Sequence, residues 1–358
     1  MTKKAKKFML HVPAGNLECL KAAADSGADV VYWGFNSPSN LRNFPGINFS
    51  CEEAFSGVDY LQRKGIKSLI TINSYPQKDQ LALCFEAIDQ AHAIGADGVV
   101  LSDLALLEYC KNNHPQLEIY LSVQAGACNT EAINFYVNEF AVDWVILPRV
   151  VTVDEIARIS KSTDVPLEAF AFGSLCINCE GKCQLSSYIT GESTNTIGTC
   201  STHKFLSFHQ ADKIYARING KAINCFAPDE IKQDAHFAGG LPQEELHQWG
   251  NHFLINRRQL CKARYLLHDG KSYRLNNYVY LNTLELLPQL WQAGIRALKI
   301  EGRQRNAGYV GEVTKVFAAA VRAFRDHPDN YTVPDSWMDA CRRQFPEIVP
   351  STTCYLGK

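Results

Sequence analysis

The chain has 358 residues, a net charge of −1 and 46% hydrophobic residues. That length holds one large domain or two ordinary ones, with ample material for a core. The near-zero charge lacks the basic excess of polyanion-binding proteins, so no nucleic-acid partner is expected.

At the N-terminus, MTKKAKKFMLHV has a basic start but too short an apolar run for a signal peptide. No later run reaches transmembrane length, so a cytoplasmic protein without a membrane span is expected. Short apolar, β-branched runs then alternate with helical patterns. FMLHV (8–12) is followed by a helix over 17–26, and VVYWG (30–34) by one over 52–64. SLITIN (68–73) precedes a helix over 80–94, and GVVLSD (98–103) one over 104–112. IYLSVQ (119–124) leads into 131–139, and WVILPR (144–149) into 153–160. LEAFAFG (167–173) is the seventh run. The eighth, ALKIEG (297–302), follows a gap of more than 100 residues and leads into a helix over 309–324.

Apolar strands joined by helices indicate a parallel sheet covered on its outer face. Several helix-to-strand joints share a pattern (SGADVVYWG, IGADGVVLSD, AGIRALKIEG) whose glycine suits a helix end. Eight β/α units predict an α/β fold, a TIM-type (β/α)8-like barrel, with a doubly wound open sheet as the rival. Residues 1–173 then hold the first seven units, and 174–295 form a cysteine-rich insertion between strands 7 and 8. Residues 296–325 supply the last strand and helix, and 326–358 a peripheral C-terminal tail. The insertion leaves from the C-terminal end of a strand, the face where barrel active sites form.

The chain has 13 cysteines. Cys19, Cys51, Cys84, Cys110, Cys128, Cys341 and Cys354 are isolated and read as small buried hydrophobes. Without a secretory signal, a disulfide framework is not expected. FGSLCINCEGKC (172–183) is different, with Cys176, Cys179 and Cys183 close together. Zinc wants a tight tetrahedron, typically two close pairs, yet Cys200 and Cys261 stand alone; His203 and His209 are possible substitutes. An iron–sulfur cluster tolerates scattered ligands because each cysteine binds a separate iron. Glycines in EGKC, TGES and IGTC leave amides available to cluster sulfurs. Inert thiols explain so dense a group poorly. Offsets of three and four would place all three cysteines on one helical face, with a distant thiol as the fourth ligand. Cys176 and Cys183 without Cys179 would stand about 10 Å apart on a straight helix. A site built on that pair needs the segment to bend, which Gly181 permits.

FAFGSLCINCEGKCQLSSYITGESTNTIGTC closely resembles a segment of the U32 peptidase-like family. PAGNLECLKAAADSGADVVYWG, EAINFYVNEF, VILPRV, LCKARYLL, YLNTLELLP and KIEGRQR extend the resemblance over 13–322, nearest to the ubiquinone-biosynthesis branch. The resemblance implies a [4Fe-4S] cluster held by Cys176, Cys183, Cys200 and Cys261. Cys179 has no counterpart in the motif, and Cys225 lies in a stretch that is longer here. Val12 stands where the family's CPAG has its cysteine. The resemblance further implies oxygen-independent, anaerobic hydroxylation of the ubiquinone ring, with prephenate as oxygen donor and a prenylated phenol or quinone precursor as substrate. It implies a UbiV-like paralogue as heterodimer partner, with catalysis requiring one or both chains. RNA base hydroxylation and a non-catalytic cluster-bearing scaffold are the alternatives. Nothing supports the peptidase name: no Ser/His/Asp or Cys/His set appears at local spacing, although a triad need not be local.

The barrel reading ranks polar residues at strand C-termini. Asn73, Gln124, Arg149, Lys299, Glu301 and Arg303 are the expected substrate-binding residues, and Asp103 shares their position; no catalytic residue is singled out. Arg149 and Arg303 best suit a dicarboxylate donor, since guanidinium grips carboxylate with two parallel hydrogen bonds. The competing reading makes Arg149 and Glu301 an ion pair at the barrel mouth. Lys299 alternates with Ile300 and has a second possible orientation, away from the pocket. Asn40, Arg42 and Asn48, after strand two, are either pocket or surface-loop residues.

Overall fold

The computed structural model describes residues 8–43, 47–176, 180–181, 183–184, 187, 193–197, 206–208, 214–218, 221–224, 264–266, 272–274 and 280–344. The chain divides into two compact units, Met1–Lys182 with Val279–Lys358, and Cys183–Tyr278. The first unit opens with β1 (Met9–Pro13), β2 (Val30–Trp33), β3 (Lys67–Ile72), β4 (Gly98–Leu101), β5 (Glu118–Leu121), β6 (Trp144–Ile146) and β7 (Leu167–Ser174). The second unit holds an antiparallel sheet of β8 (Leu206–Phe208), β9 (Ile214–Ile218) and β10 (Lys221–Asn224). It also holds an antiparallel pair, β11 (Arg264–Leu266) and β12 (Ser272–Arg274). The first unit resumes with β13 (Tyr280–Asn282) and β14 (Ile295–Ile300).

β1 to β6 each pair in parallel with the next strand. β7 pairs with β6 on one side and β14 on the other, and β14 pairs with β1. The ring therefore closes on eight parallel strands, a TIM-like α/β barrel, and the open-sheet rival is excluded. β13 adds antiparallel to the C-terminal end of β7, with Tyr280 opposite Ser174.

The α-helices of the first unit are α1 (Leu17–Asp25), α2 (Cys51–Arg63), α3 (Leu81–Ala93), α4 (Leu104–Asn113), α5 (Thr130–Phe140), α6 (Val153–Lys161), α7 (Leu287–Gln292), α8 (Ala307–Asp326) and α9 (Asp335–Gln344). Their starts are written in the loops. Asn16, Asp103, Asn129 and Asn306 each accept from a first-turn amide. Ser50 with Glu53, and Thr152 with Glu155, form capping boxes. These caps fix where α1, α2, α4, α5, α6 and α8 leave the C-terminal mouth of the barrel. One set of strand residues packs outward on the helices. Phe172 meets Tyr309 and Phe317 of α8 at ring-centroid distances of 6.3 and 5.7 Å, and Phe8 meets Trp291 of α7 at 4.9 Å. Truncating a residue such as Phe317 to Ala costs about 3–5 kcal/mol in a core of this kind.

The span read as one insertion, 174–295, is divided in the structure. Residues 183–278 form the second unit, whereas β13 and α7 belong with the barrel. Both elements are too short for periodicity to reveal them. In the tail, α9 buries Met338, Ala340 and Cys341, and its Arg343 pairs with Glu312 of α8 at 2.7 Å. Cys19, Cys84, Cys110 and Cys341 are buried as expected; Cys51 is exposed at the start of α2, and Cys354 lies outside the described residues. Among the described residues no helix is long and apolar enough to cross a membrane.

Candidate functional site at the barrel mouth

The barrel interior is not apolar. His11 of β1 places Nδ1 3.0 Å from Glu168 Oε2 of β7, and Lys299 of β14 donates to Glu168 Oε1 at 2.9 Å. His11 also meets the rings of Tyr120 and Trp144 at centroid distances of 5.8 and 5.9 Å. β1 and β5 stand on opposite sides of the ring, so the His11–Tyr120 contact runs through the barrel. Lys299 therefore faces inward, its Nζ 3.8 Å from the centroid of the Tyr32 ring. The Tyr32 hydroxyl donates to the Ile300 carbonyl at 2.6 Å. His11 and Glu168 are fully buried. Branched apolar side chains normally fill this space, and buried charge persists where it is paired.

Burial pushes the Glu168 carboxyl up, but His11 and Lys299 outweigh it and hold it at about 2. Burial pushes the Lys299 ammonium down, Glu168 opposes it, and Arg303 and Arg149 add repulsion, which leaves it below its usual value. The two partners therefore differ in what the pair does for them. One carboxylate serves both His11 and Lys299, so Glu168 gains more than the ammonium recovers. The site holds an ionised Glu168 against an ammonium disfavoured relative to water.

Two arginines stand where strands end, in contrasting states. Arg149, just past β6, donates from Nη1 to Glu180 Oε1 at 2.7 Å, and its Nη2 lies 3.2 Å from Glu301 Oε2. Its guanidinium carbon sits 3.8 Å from the Phe170 ring centroid. The Arg149–Glu301 ion pair is thus present, and Glu180 joins it. Burial raises the Glu180 carboxyl, against the pull of Arg149. Glu301 also accepts from the Ser174 amide at 2.9 Å. Arg303 has neutral acceptors only among the described residues: Thr71 Oγ1 at 2.9 Å, Asn40 Oδ1 at 3.2 Å, and Asn48 Oδ1. A Cβ at Gly34 would stand 2.7 Å from Arg303 Nη2, so glycine makes the room for this side chain. Asn40 and Asn48 are buried, not surface-loop residues.

The other predicted positions are engaged structurally. Asn73 accepts from the Leu41 amide at 3.3 Å and donates to Ser122 Oγ at 3.4 Å, tying three loops together. Asp103 is the N-cap of α4, 2.9 Å from the Ala105 amide. Gln124 is half-buried, and its carbonyl accepts from the Tyr75 hydroxyl at 3.2 Å. Sequence reasoning missed His11, Tyr32, Thr71, Glu168 and Glu180. An ionisable residue inside a run that must be buried on both faces was the available signal for His11 and Glu168.

The cysteine segment starts at this mouth. Cys176, two residues beyond β7, is half-buried, as is Cys183. The described residues of 175–183 are coil and turn, not helix. Gly181 has φ +81° and packs so closely on Gln124 that a Cβ would fall on its carbonyl oxygen. The chain turns at Gly181, the turn that a site built on Cys176 and Cys183 needs; residues 177–179 and 182 lie outside the described residues. Thiols on a turn suit thiolate ligation of an iron–sulfur cluster in donor chemistry. Cys179, Cys200, Cys225 and Cys261, with His203 and His209, lie outside the described residues. Among the described residues no group of three or more His, Cys, Asp or Glu is arranged to hold a metal ion.

Fold and site together define a TIM-like barrel protein with a charged interior and a cationic, loop-built mouth. The peptidase family U32 model matches residues 15–358, so the chain belongs to peptidase family U32. It is 27% identical to tRNA hydroxylation protein P1 of Bacillus subtilis (strain 168), covering 93% of this chain and 68% of that protein. It is also 27% identical to the collagenase of Porphyromonas gingivalis, covering 88% of this chain and 66% of the relative. The chain thus spans about two thirds of the length of these curated relatives. A solved structure of the U32 peptidase Mk0906 aligns at 15% identity and TM-score 0.41, over 49% of this chain and 73% of that one.

Proposed function

We propose that this chain is a component of oxygen-independent hydroxylation of the ubiquinone ring. It resembles UbiU, with a prenylated phenol or quinone precursor as substrate, prephenate as oxygen donor and a UbiV-like paralogue as partner. The observation that carries an enzymatic reading is the His11–Glu168–Lys299 network, ionisable groups held where a barrel otherwise packs hydrocarbon. Family membership supports hydroxylation as the reaction class, since a relative is named for it. The net charge of −1 favours a small aromatic substrate over a polyanion.

In this reading a [4Fe-4S] cluster is held by Cys176, Cys183, Cys200 and Cys261, and supplies one-electron chemistry when bound. The chain's own residues do the rest. Lys299 and Arg303 supply positive charge at the mouth for a carboxylate-bearing donor. Glu168 keeps Lys299 in place and the interior close to neutral, and Tyr32 roofs the ammonium. Arg149, with Glu180 and Glu301, locks the loops after β6, β7 and β14 to one another.

RNA base hydroxylation is the second reading, favoured by the Bacillus subtilis relative's name. A strain lacking this chain, grown without oxygen, separates the two. Accumulation of an unhydroxylated quinone precursor supports the first, and loss of a hydroxylated nucleoside with normal quinone supports the second.

A further inference from the structure

We propose that Arg149 is the positioning residue of the Cys176 loop: one guanidinium closes both ends of the segment that carries this thiol, and holds it at the barrel mouth without help from a cluster. This deepens the cofactor part of the function above and rests on that reading for the cluster. The closed loop itself stands on the local geometry.

Cys176 belongs to the first unit and follows the end of β7 by two residues. Upstream of it, the Ser174 amide donates to Glu301 Oε2 at 2.9 Å, and the same oxygen lies 3.2 Å from Arg149 Nη2. Downstream, Arg149 Nη1 donates to Glu180 Oε1 at 2.7 Å, and the Arg149 amide donates to Glu180 Oε2 at 3.4 Å. Five residues, 175–179, separate these two anchor points, and both anchors return to one side chain. Gly181 adds a third: a Cβ there would lie 2.1 Å from the Gln124 carbonyl oxygen, which also accepts from the Tyr75 hydroxyl at 3.2 Å. Arg149 is itself held against the Phe170 ring, 3.8 Å from its centroid. Fixing both ends of so short a loop removes chain freedom that a bound metal would otherwise have to remove.

Stability alone does not account for this arrangement. The Arg149 and Glu180 side chains are each 7% exposed, and Glu301 is 30% exposed. Burial raises the Glu180 carboxyl against the pull of Arg149, so the pair forms at a desolvation cost. Buried ion pairs add little net stability, and hydrocarbon of similar volume commonly replaces them without loss. A guanidinium supplies direction that hydrocarbon lacks, because its planar fork fixes its acceptors at set angles. With two carboxylates already on it, Arg149 is aimed at the protein's own loops and not at an anionic ligand. Groups that orient metal ligands in this way are typically worth about 10–100-fold in metal affinity.

The double variant Arg149→Met with Glu180→Met tests the proposal in the full-length chain, purified without oxygen. It removes both buried charges together, so the cluster-free protein is expected to melt within about 3 °C of the wild type. Iron release to bathophenanthroline disulfonate is nevertheless expected to be about tenfold faster than in the wild type. Arg149→Lys keeps the charge but loses the fork, and is expected to fall between the two. Leu61→Ala, under α2 on the β3 side of the ring and opposite β7, lowers Tm and is expected to release iron at the wild-type rate. Wild-type iron release in the double variant would overturn the proposal, as would equal acceleration by Leu61→Ala. So would a double variant that does not fold, since the charges would then be a stability element. Hydrogen exchange of the cluster-free chain, read at single residues by mass spectrometry, is the second readout. The Ser174 amide is expected to exchange about tenfold faster in the double variant, and an unchanged rate would overturn the proposal. A wild type that binds no iron contradicts the cluster reading and leaves hydrogen exchange to decide on the loop. Equally slow iron release in both proteins contradicts the positioning role and leaves the cluster reading standing.

Discussion

Glu168→Gln isolates what the buried network contributes. The substitution keeps the side-chain shape but leaves the Lys299 ammonium, 7% exposed at its side chain, without its carboxylate. Removing one partner of a buried ion pair costs about 3–5 kcal/mol. The carboxyl itself moves from 4.5 to about 2 on folding, which corresponds to about 3 kcal/mol in favour of its ionised form. The two magnitudes agree, and at roughly 1–2 °C per kcal/mol for a chain of 358 residues they predict a fall in Tm of about 5 °C. Lys299→Met leaves Glu168 with His11 alone and destabilises too. The double variant removes both charges at once, so it is expected to be more stable than either single variant, with an interaction energy above about 3 kcal/mol. Chemical denaturation of the four proteins, followed by circular dichroism and tryptophan fluorescence, closes the cycle. A Glu168→Gln protein within about 0.5 kcal/mol of the wild type, or a double variant equal to the sum of the singles, would refute the network's role.

The same carboxyl sets an acid response. Its folded pKa is depressed, so its stabilisation is present above about 4.5 and is lost as the pH falls through about 2. Stability measured between pH 5 and pH 2 is therefore expected to fall more steeply in the wild type than in Glu168→Gln, and parallel slopes would count against the shift. Gly181→Ala is expected to destabilise by about 1–3 kcal/mol, since φ +81° and the Gln124 carbonyl both oppose a side chain. An unchanged melting curve would show that the turn is not clamped there. For the cysteines, Cys179→Ser is expected to leave iron content and visible absorbance intact after anaerobic purification, at about four irons per chain. Cys176→Ser, Cys183→Ser, Cys200→Ser and Cys261→Ser are each expected to lose them; loss at Cys179 with retention at Cys183 would reverse the ligand assignment.

The barrel was legible because its signals are local and repeated. Each strand is a short apolar run, and most helices open on Asn, Asp, Ser or Thr caps that also mark loop ends. β13 and α7 escaped because elements of three and six residues carry no period. The site was legible only in part. Arg303, Lys299 and Arg149 were found by position, but position does not say which cation is paired. That depends on Glu168, Glu180 and Glu301, brought near by different strands and loops. His11 and Glu168 sit inside MLHVP and LEAFAFGS, and read as strand residues until the closed ring turns them inward. Asn48 adopts a left-handed backbone, which asparagine tolerates better than most residues, but one asparagine in a loop does not announce it, and its amide reaches the Gly15 carbonyl only in the fold.

The most direct test of the function is mass spectrometry of quinones and modified nucleosides from anaerobically grown cells lacking this chain. An unhydroxylated quinone precursor is expected to accumulate, with normal quinone restored by the wild-type chain and hydroxylated nucleosides unchanged. Normal quinone together with a missing hydroxylated nucleoside would contradict a role in ubiquinone hydroxylation.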